Sequence, residues 1–147
     1  MTYPDGSQIR VGDLIWWDEG HCLGHVQAIA ESQADYESWG LVAPHIFIST
    51  RHPFDPTLAT RHADGGVPVL VSYDVASFDD EGIGLLSPAE RQEFERARQA
   101  ALLGRGCSCF SVTTHVESGT LRSWIFRLLD EHGRETVVTI PYEKPAA

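Results

Sequence analysis

The chain has 147 residues, 42% of them hydrophobic and 10% aromatic, and carries 21 acidic against 11 basic side chains for a formal charge of −10. This length and composition fit one folded α+β domain over residues 1–147 with a core of its own, and exclude a disordered acidic tail or a metal- or disulfide-stapled miniprotein. The charge argues against nucleic acid as a partner, because phosphate binding needs the opposite sign, and the run of about 18 apolar residues that a membrane span requires is absent.

The start, Met-Thr-Tyr-Pro-Asp-Gly, has neither a basic nor an apolar signal region, so a cytoplasmic location is expected. Three cysteines, an odd number, agree with a reducing compartment. The chain has no Asn, and Arg outnumbers Lys ten to one, a composition that points to a GC-rich bacterial source.

Pro4-Asp5-Gly6 signals a turn, and Ile9, Val11 and Leu14 to Trp17 supply β-prone residues. Asp18-Glu19-Gly20 interrupts that run and Cys22 to Ile29 resumes it, with Gly24 inside. The pattern Val11-Gly12-Asp13-Leu14-Ile15-Trp16, then Gly20, Gly24, Val26 and Ile29, resembles the first hairpin of small KOW- or Tudor-type β-barrels. Ser32 and Asp35 form a capping arrangement for a short helix over 33–39, with Gly40 as its terminator. His45 to Ser49 reads as a strand. Residues 50–66 contain Pro53, Pro56 and Gly65-Gly66 and read as a long loop, of a length that is usually functional. Val67 to Tyr73 is a further strand, with Pro68 near its start.

Ser87 as N-cap, Pro88 at the first helical position and Glu90 two residues later predict a helix to Leu103, ended by Gly104. Phe94, Ala97, Ala101 and Leu102 form its inner stripe, and the remaining charged residues face water. From Cys109 the period becomes two. Phe110, Val112, Thr114 and Val116 alternate with polar residues, and Ser118-Gly119-Thr120 turns the chain. Trp124, Phe126 and Leu128 follow, then a turn at Asp130 to Arg134, then Thr136 to Tyr142. This is a three-stranded antiparallel meander whose middle strand is apolar on both faces. The fold expected is therefore mostly antiparallel β, with a small-barrel-like N-terminal hairpin, one short and one longer helix, and the C-terminal meander.

No complete catalytic constellation emerges, and no catalytic residue is assigned. His21, Cys22 and His25 lie close together and Cys107 and Cys109 could add thiolates, but neither set has the spacing of a zinc knuckle, so no metal or cofactor is expected. His115-Val116-Glu117 matches half of the zinc-deaminase signature, yet no cysteine follows it. A nucleophile elbow is missing. Gly82-Ile83-Gly84 lacks the third glycine of a dinucleotide loop, and Asp79, Asp80 and Glu81 beside it would repel phosphate. Arg51-His52 and Arg61-His62, flanking Phe54, suit an anion or a partner carboxylate as well as they suit a solubilising loop.

The acid is concentrated instead at expected turns: Asp18-Glu19, Asp79-Asp80-Glu81 and Asp130-Glu131. Such charge steers a positively charged partner if the turns share one face, and is ordinary solubility charge if they do not. Adjacent Trp16 and Trp17 point to opposite sides of a strand, leaving one outward as an interface anchor unless a helix covers both; Trp39 is a second anchor candidate. The partner-binding residues expected are Trp17, Asp18, Glu19, Trp39, Asp79, Asp80 and Glu81.

Tyr3-Pro4-Asp5-Gly6, then Ile9, Arg10, Val11, Gly12-Asp13 and a glycine-interrupted hairpin, is similar to the beginning of small acidic bacterial immunity proteins of polymorphic or contact-dependent toxin systems. The resemblance covers the N-terminal third and brings no catalytic residues. It implies an antidote that binds a cognate toxin domain inside the cell, with a basic nuclease as the first expectation for that toxin. A KOW- or Tudor-like protein-binding adaptor is the alternative, and a small hydrolase or metal-dependent enzyme a third. The oligomeric state is open.

Overall fold

The computed structural model describes residues 1–49 and 70–144, and the expected 50–66 loop lies outside them, as does the start of the Val67–Tyr73 strand. In chain order the elements are β1 (Leu14–Trp17), β2 (Cys22–Ala30), α1 (Gln33–Trp39), β3 (His45–Ser49), β4 (Leu70–Asp74), a 3-10 turn (Val75–Ser77), β5 (Gly84–Leu85), α2 (Pro88–Leu102), β6 (Ser108–Glu117), β7 (Thr120–Leu129) and β8 (Glu135–Pro141). The strands form one eight-stranded antiparallel sheet in the order β4-β3-β2-β6-β7-β8, with β1 on β2 and β5 on β1. The α+β class and the C-terminal meander are as the sequence predicts.

Strand β2 is the branch point. Cys22 and Leu23 pair with both β1 and β6, while His25 pairs with both β1 and β3. A strand residue has one neighbour on each edge, so β1 occupies one edge of β2, and β6 and β3 share the other in succession. The close approach of β3 depends on Gly24. A Cβ there would lie 2.6 Å from Ile48 Cγ2 and 2.9 Å from the Ser49 carbonyl.

Two cores flank this hairpin. Leu14, Leu23, Phe94, Val112, Trp124 and Phe126 belong to the first, between α2 and the meander. Ile15, Val26, Ile46, Ile48, Phe78 and Ile83 belong to the second, under β1, β2 and β3. Period-two alternation therefore sends successive β1 side chains into different cores. This corrects the expectation that one of Trp16 and Trp17 points outward. Trp16 stacks on Trp124 with ring centroids 5.8 Å apart, and Trp17 packs against the second core with its ring 6.4 Å from that of Tyr73.

Both helices are capped as predicted. The Ser32 and Ser87 hydroxyls accept the backbone N–H of Asp35 and Glu90, whose carboxylates accept the cap N–H in return. Phe94, Ala97 and Ala101 are buried and Leu102 is half-buried, as their stripe predicts. Glu93 is not on the water face. Its side chain is 3% exposed, and it accepts a 2.6 Å hydrogen bond from the Trp124 indole, a second from Arg96 Nε and a third from the Glu143 backbone N–H at 3.3 Å. An indole N–H buried in the first core needs an acceptor, and Glu93 supplies it from the helix above.

At the N-terminus, the Pro4-Asp5-Gly6 turn is closed by a bond from the Gly6 N–H to the Tyr3 carbonyl, and the buried Tyr3 hydroxyl donates to Asp13 at 2.6 Å. Burial, then the Asp13 carboxylate, push the Tyr3 phenol above its ordinary range.

Replacing Glu93 with Ala should lower unfolding stability by about 2–3 kcal/mol, since the buried Trp124 N–H loses its acceptor and Arg96 keeps only exposed Glu143 as its ion-pair partner. Urea unfolding measures it, with exposed Glu95→Ala on the same helix as a control expected within about 0.5 kcal/mol of wild type. Equal midpoints for the two variants would refute the role given to Glu93.

Candidate functional site

The β1–β2 turn contains Asp18 and Glu19, both in the left-handed region with φ of 53° and 56°, followed by Gly20 at 82°. Two non-glycine residues there cost about 1 kcal/mol each. They are held by the chain around them. The Gly20 N–H reaches the Trp17 carbonyl, the His21 N–H the Asp18 carbonyl, and the Glu19 N–H crosses to the Glu81 carbonyl at 2.8 Å.

That last bond joins two turns whose bonded residues are 62 positions apart in sequence. The second is anchored at both ends by Phe78 and Ile83, buried in the second core, with the Ile83 N–H bonded to the Phe78 carbonyl. Between these anchors Asp79 and Asp80 are exposed and Glu81 is half-buried. Gly82, at φ 62°, lets the turns touch: a Cβ there would stand 2.9 Å from the Glu19 carbonyl carbon and the Gly20 nitrogen. The turn holding Asp18 and Glu19 thus touches the turn holding Asp79, Asp80 and Glu81, and none of the ion pairs among the described residues involves these five.

Tyr73 and Cys22 lie at the inner margin of this surface. Burial raises the Tyr73 phenol, and Glu81, Asp18 and Cys22 add to the rise. The Cys22 thiol stands 3.8 Å from the Asp18 carboxylate; burial first and that carboxylate second push it up to about 11. Burial pushes the Cys109 thiol up to about 12. At neutral pH both are thiols, not the thiolates that nucleophilic or metal chemistry uses. Among the described residues no group of three or more His, Cys, Asp and Glu side chains is arranged to hold a metal ion.

No protein family, curated protein or solved structure matches the chain. The site therefore stands on its own geometry.

Of the seven residues expected to bind a partner, the structure gathers six. Trp17 is among them, but as the half-buried floor beside Tyr73 and not as a projecting anchor. Trp39 is elsewhere: 49% exposed at the end of α1, it packs on Phe47 at 4.3 Å. Phe47 alternates with Ile46 and Ile48, which point into the second core, so Trp39 lies on the reverse side of β3.

The Asp130-Glu131 turn does not join the others. Thr113 of β6 lies against Cys22, placing the acidic surface beyond the Thr114 end of β6, whereas Leu129 lies against Ser108 at the opposite end. Asp130 is employed locally, accepting the backbone N–H groups of His132 and Arg134 at 2.8 Å each. Of the three acidic clusters, two are therefore brought together and the third is not.

A larger asymmetry accompanies the paired turns. Residues 1–87 hold 13 acidic and 3 basic side chains, and residues 88–147 hold eight of each, so the first part carries the entire formal charge of −10. The acidic turns flank β1 and β5, which lie across β2 from the β6–β8 meander. The protein is thus polarised, with the joined turns in the anionic half. A charge count taken by segment carries that signal in the sequence; the Glu19–Glu81 bond, Tyr73 and the contact role of Gly82 have no signal of comparable strength.

Gly82→Ala should destabilise the fold by about 2 kcal/mol through its positive φ and its clash with the β1–β2 turn. Gly84→Ala, with open space around its Cβ, should stay within about 0.5 kcal/mol of wild type. Thermal unfolding of the pair checks this, and equal losses would show that the two turns are not in contact.

Proposed function

We propose that this chain is a binding protein that docks a positively charged protein on the joined acidic turns, and that it acts as an immunity protein neutralising a cytoplasm-acting bacterial toxin. The observation that carries the reading is the Glu19 N–H to Glu81 carbonyl bond, which joins two turns that between them hold five acidic residues, in the segment bearing all the net charge. The similarity of residues 3–13 and the following hairpin to small acidic immunity proteins supplies the class of partner.

An inhibitor of this kind needs rapid encounter and slow release, with no reaction of its own. A unipolar anionic face draws a basic partner well above the neutral association range of about 10⁵–10⁶ M⁻¹s⁻¹. Rigidity matters equally, because a preorganised surface loses little conformational freedom on docking. Both turns are fixed, one by the hairpin and the other by Phe78 and Ile83. Half-buried Trp17 and Tyr73 offer apolar surface between the carboxylates, where exclusion of water would slow dissociation. A basic nuclease suits this face, since its own substrate groove must be positive to hold phosphate. An antidote acting before such a toxin reaches nucleic acid belongs in the cytoplasm of the producing cell.

The test uses the product of the neighbouring gene as the partner, because toxin and antidote genes commonly adjoin. Stopped-flow association should slow by about tenfold or more at low salt when Asp79, Asp80 and Glu81 are all changed to Lys, and its salt dependence should flatten. The equivalent reversal at Glu131 should leave the rate unchanged. If both variants associate at the wild-type rate, the acidic turns are not the docking face.

A further inference from the structure

Among the described residues, the segment without net charge ends in a sheet edge that no other strand pairs. Strand β8 pairs with β7 alone among the described residues, and lies at the end of the sheet order. The Tyr142 N–H bonds the Arg122 carbonyl. In an antiparallel ladder this makes the even-numbered residues of β8 those that bond β7, so the backbone groups of Glu135, Val137 and Thr139 face the open side.

At its C-terminal end the edge is closed. Pro141 has no N–H to offer, and its carbonyl already accepts a 2.9 Å hydrogen bond from Arg96 of α2. Before it runs Thr136-Val137-Val138-Thr139-Ile140, β-prone throughout and without a charge, a proline or a glycine. Val137 is 54% exposed, among the large hydrophobic side chains that the fold leaves out of its cores.

We infer that β8 is a homodimer edge, where two copies of this chain pair antiparallel about a two-fold axis at Val137 and continue the sheet from one subunit into the other. In that register Glu135, Val137 and Thr139 exchange backbone hydrogen bonds with Thr139, Val137 and Glu135 of the second copy. Val137 is covered by its own equivalent, and Pro141 stays outside the ladder. The one charged residue in the paired stretch, Glu135, is already bonded to Arg127 at 2.8 Å.

Charge selects a second copy as the occupant. Two chains of −10 repel, yet pairing through β8 joins the segments with eight acids and eight bases and keeps the joined acidic turns, which lie across β2 from the meander, away from the seam. A basic protein would be steered to the opposite end of the molecule. The docking face and the dimer edge are therefore separate, and the inference does not depend on the function proposed above.

Sedimentation equilibrium of the full chain tests it. The wild type should dimerise between micromolar and submillimolar concentration, and its Val137 and Thr139 amides should exchange more slowly with solvent as concentration rises. Val137→Lys and Val137→Glu should each weaken self-association by about tenfold or more, through like charges meeting across the axis. An equimolar mixture of the two variants should regain association, because only at a two-fold axis through Val137 do Lys and Glu face each other. Circular dichroism confirms that each variant is folded. A wild type that stays monomeric throughout, a dimer indifferent to either substitution, or a mixture no better than its components overturns the inference.

Discussion

Strand β1 is only four residues long, and the molecule is organised around the fact that neighbouring side chains on a strand face opposite ways. Leu14 and Trp16 enter one core, Ile15 and Trp17 pack on the other. A one-residue slip of this strand would exchange the two sets, so its register is enforced from both sides. The same economy holds for β2, which lends one edge to β1 and divides the other between β6 and β3. Gly24 makes that division possible by letting Ile48 and the Ser49 carbonyl approach where a side chain would stand.

The candidate site follows from that packing. A hairpin clamped between two cores has a turn that cannot drift, and the Phe78–Ile83 segment, seated in the second core, brings its own turn against it. Like charges brought this close repel, and the fold tolerates it because backbone bonds and buried anchors, not the carboxylates, hold the turns together. That separation of duties leaves the carboxylates available to a partner. Asp130 shows the contrary case, an acidic residue absorbed into its own turn by two backbone N–H bonds.

The other half of the molecule is built by a different device. Glu93 brings a charge into the first core and satisfies Trp124, Arg96 and the chain after β8 together. Arg96, so oriented, also reaches the Pro141 carbonyl. Glu93 and Arg96, one turn apart on α2, therefore hold the helix on the meander and close the C-terminal end of β8. Charge is balanced here and unbalanced across β2, so one small sheet presents two ends with different electrostatic character.

What could be read from the sequence was whatever is encoded locally. Ser87-Pro88-Ala89-Glu90 marks a helix start wherever it occurs, Ser118-Gly119 supplies the positive φ of a tight hairpin, and the alternation from Cys109 to Tyr142 yields a meander whose middle strand lies between the others. The acidic turns were equally visible as turns. Their pairing was not, because the bond between Glu19 and Glu81 and the space that Gly82 leaves for it arise only when residues 62 positions apart meet. Burial of Glu93 was hidden for the same reason, since a glutamate on a helix reads as solvated until a tryptophan from another strand needs its oxygen. The two tryptophans of β1 show the limit most plainly. Local periodicity put them on opposite faces, but only the tertiary fold, by placing a core on each side, decided that both would be half-buried and neither would project.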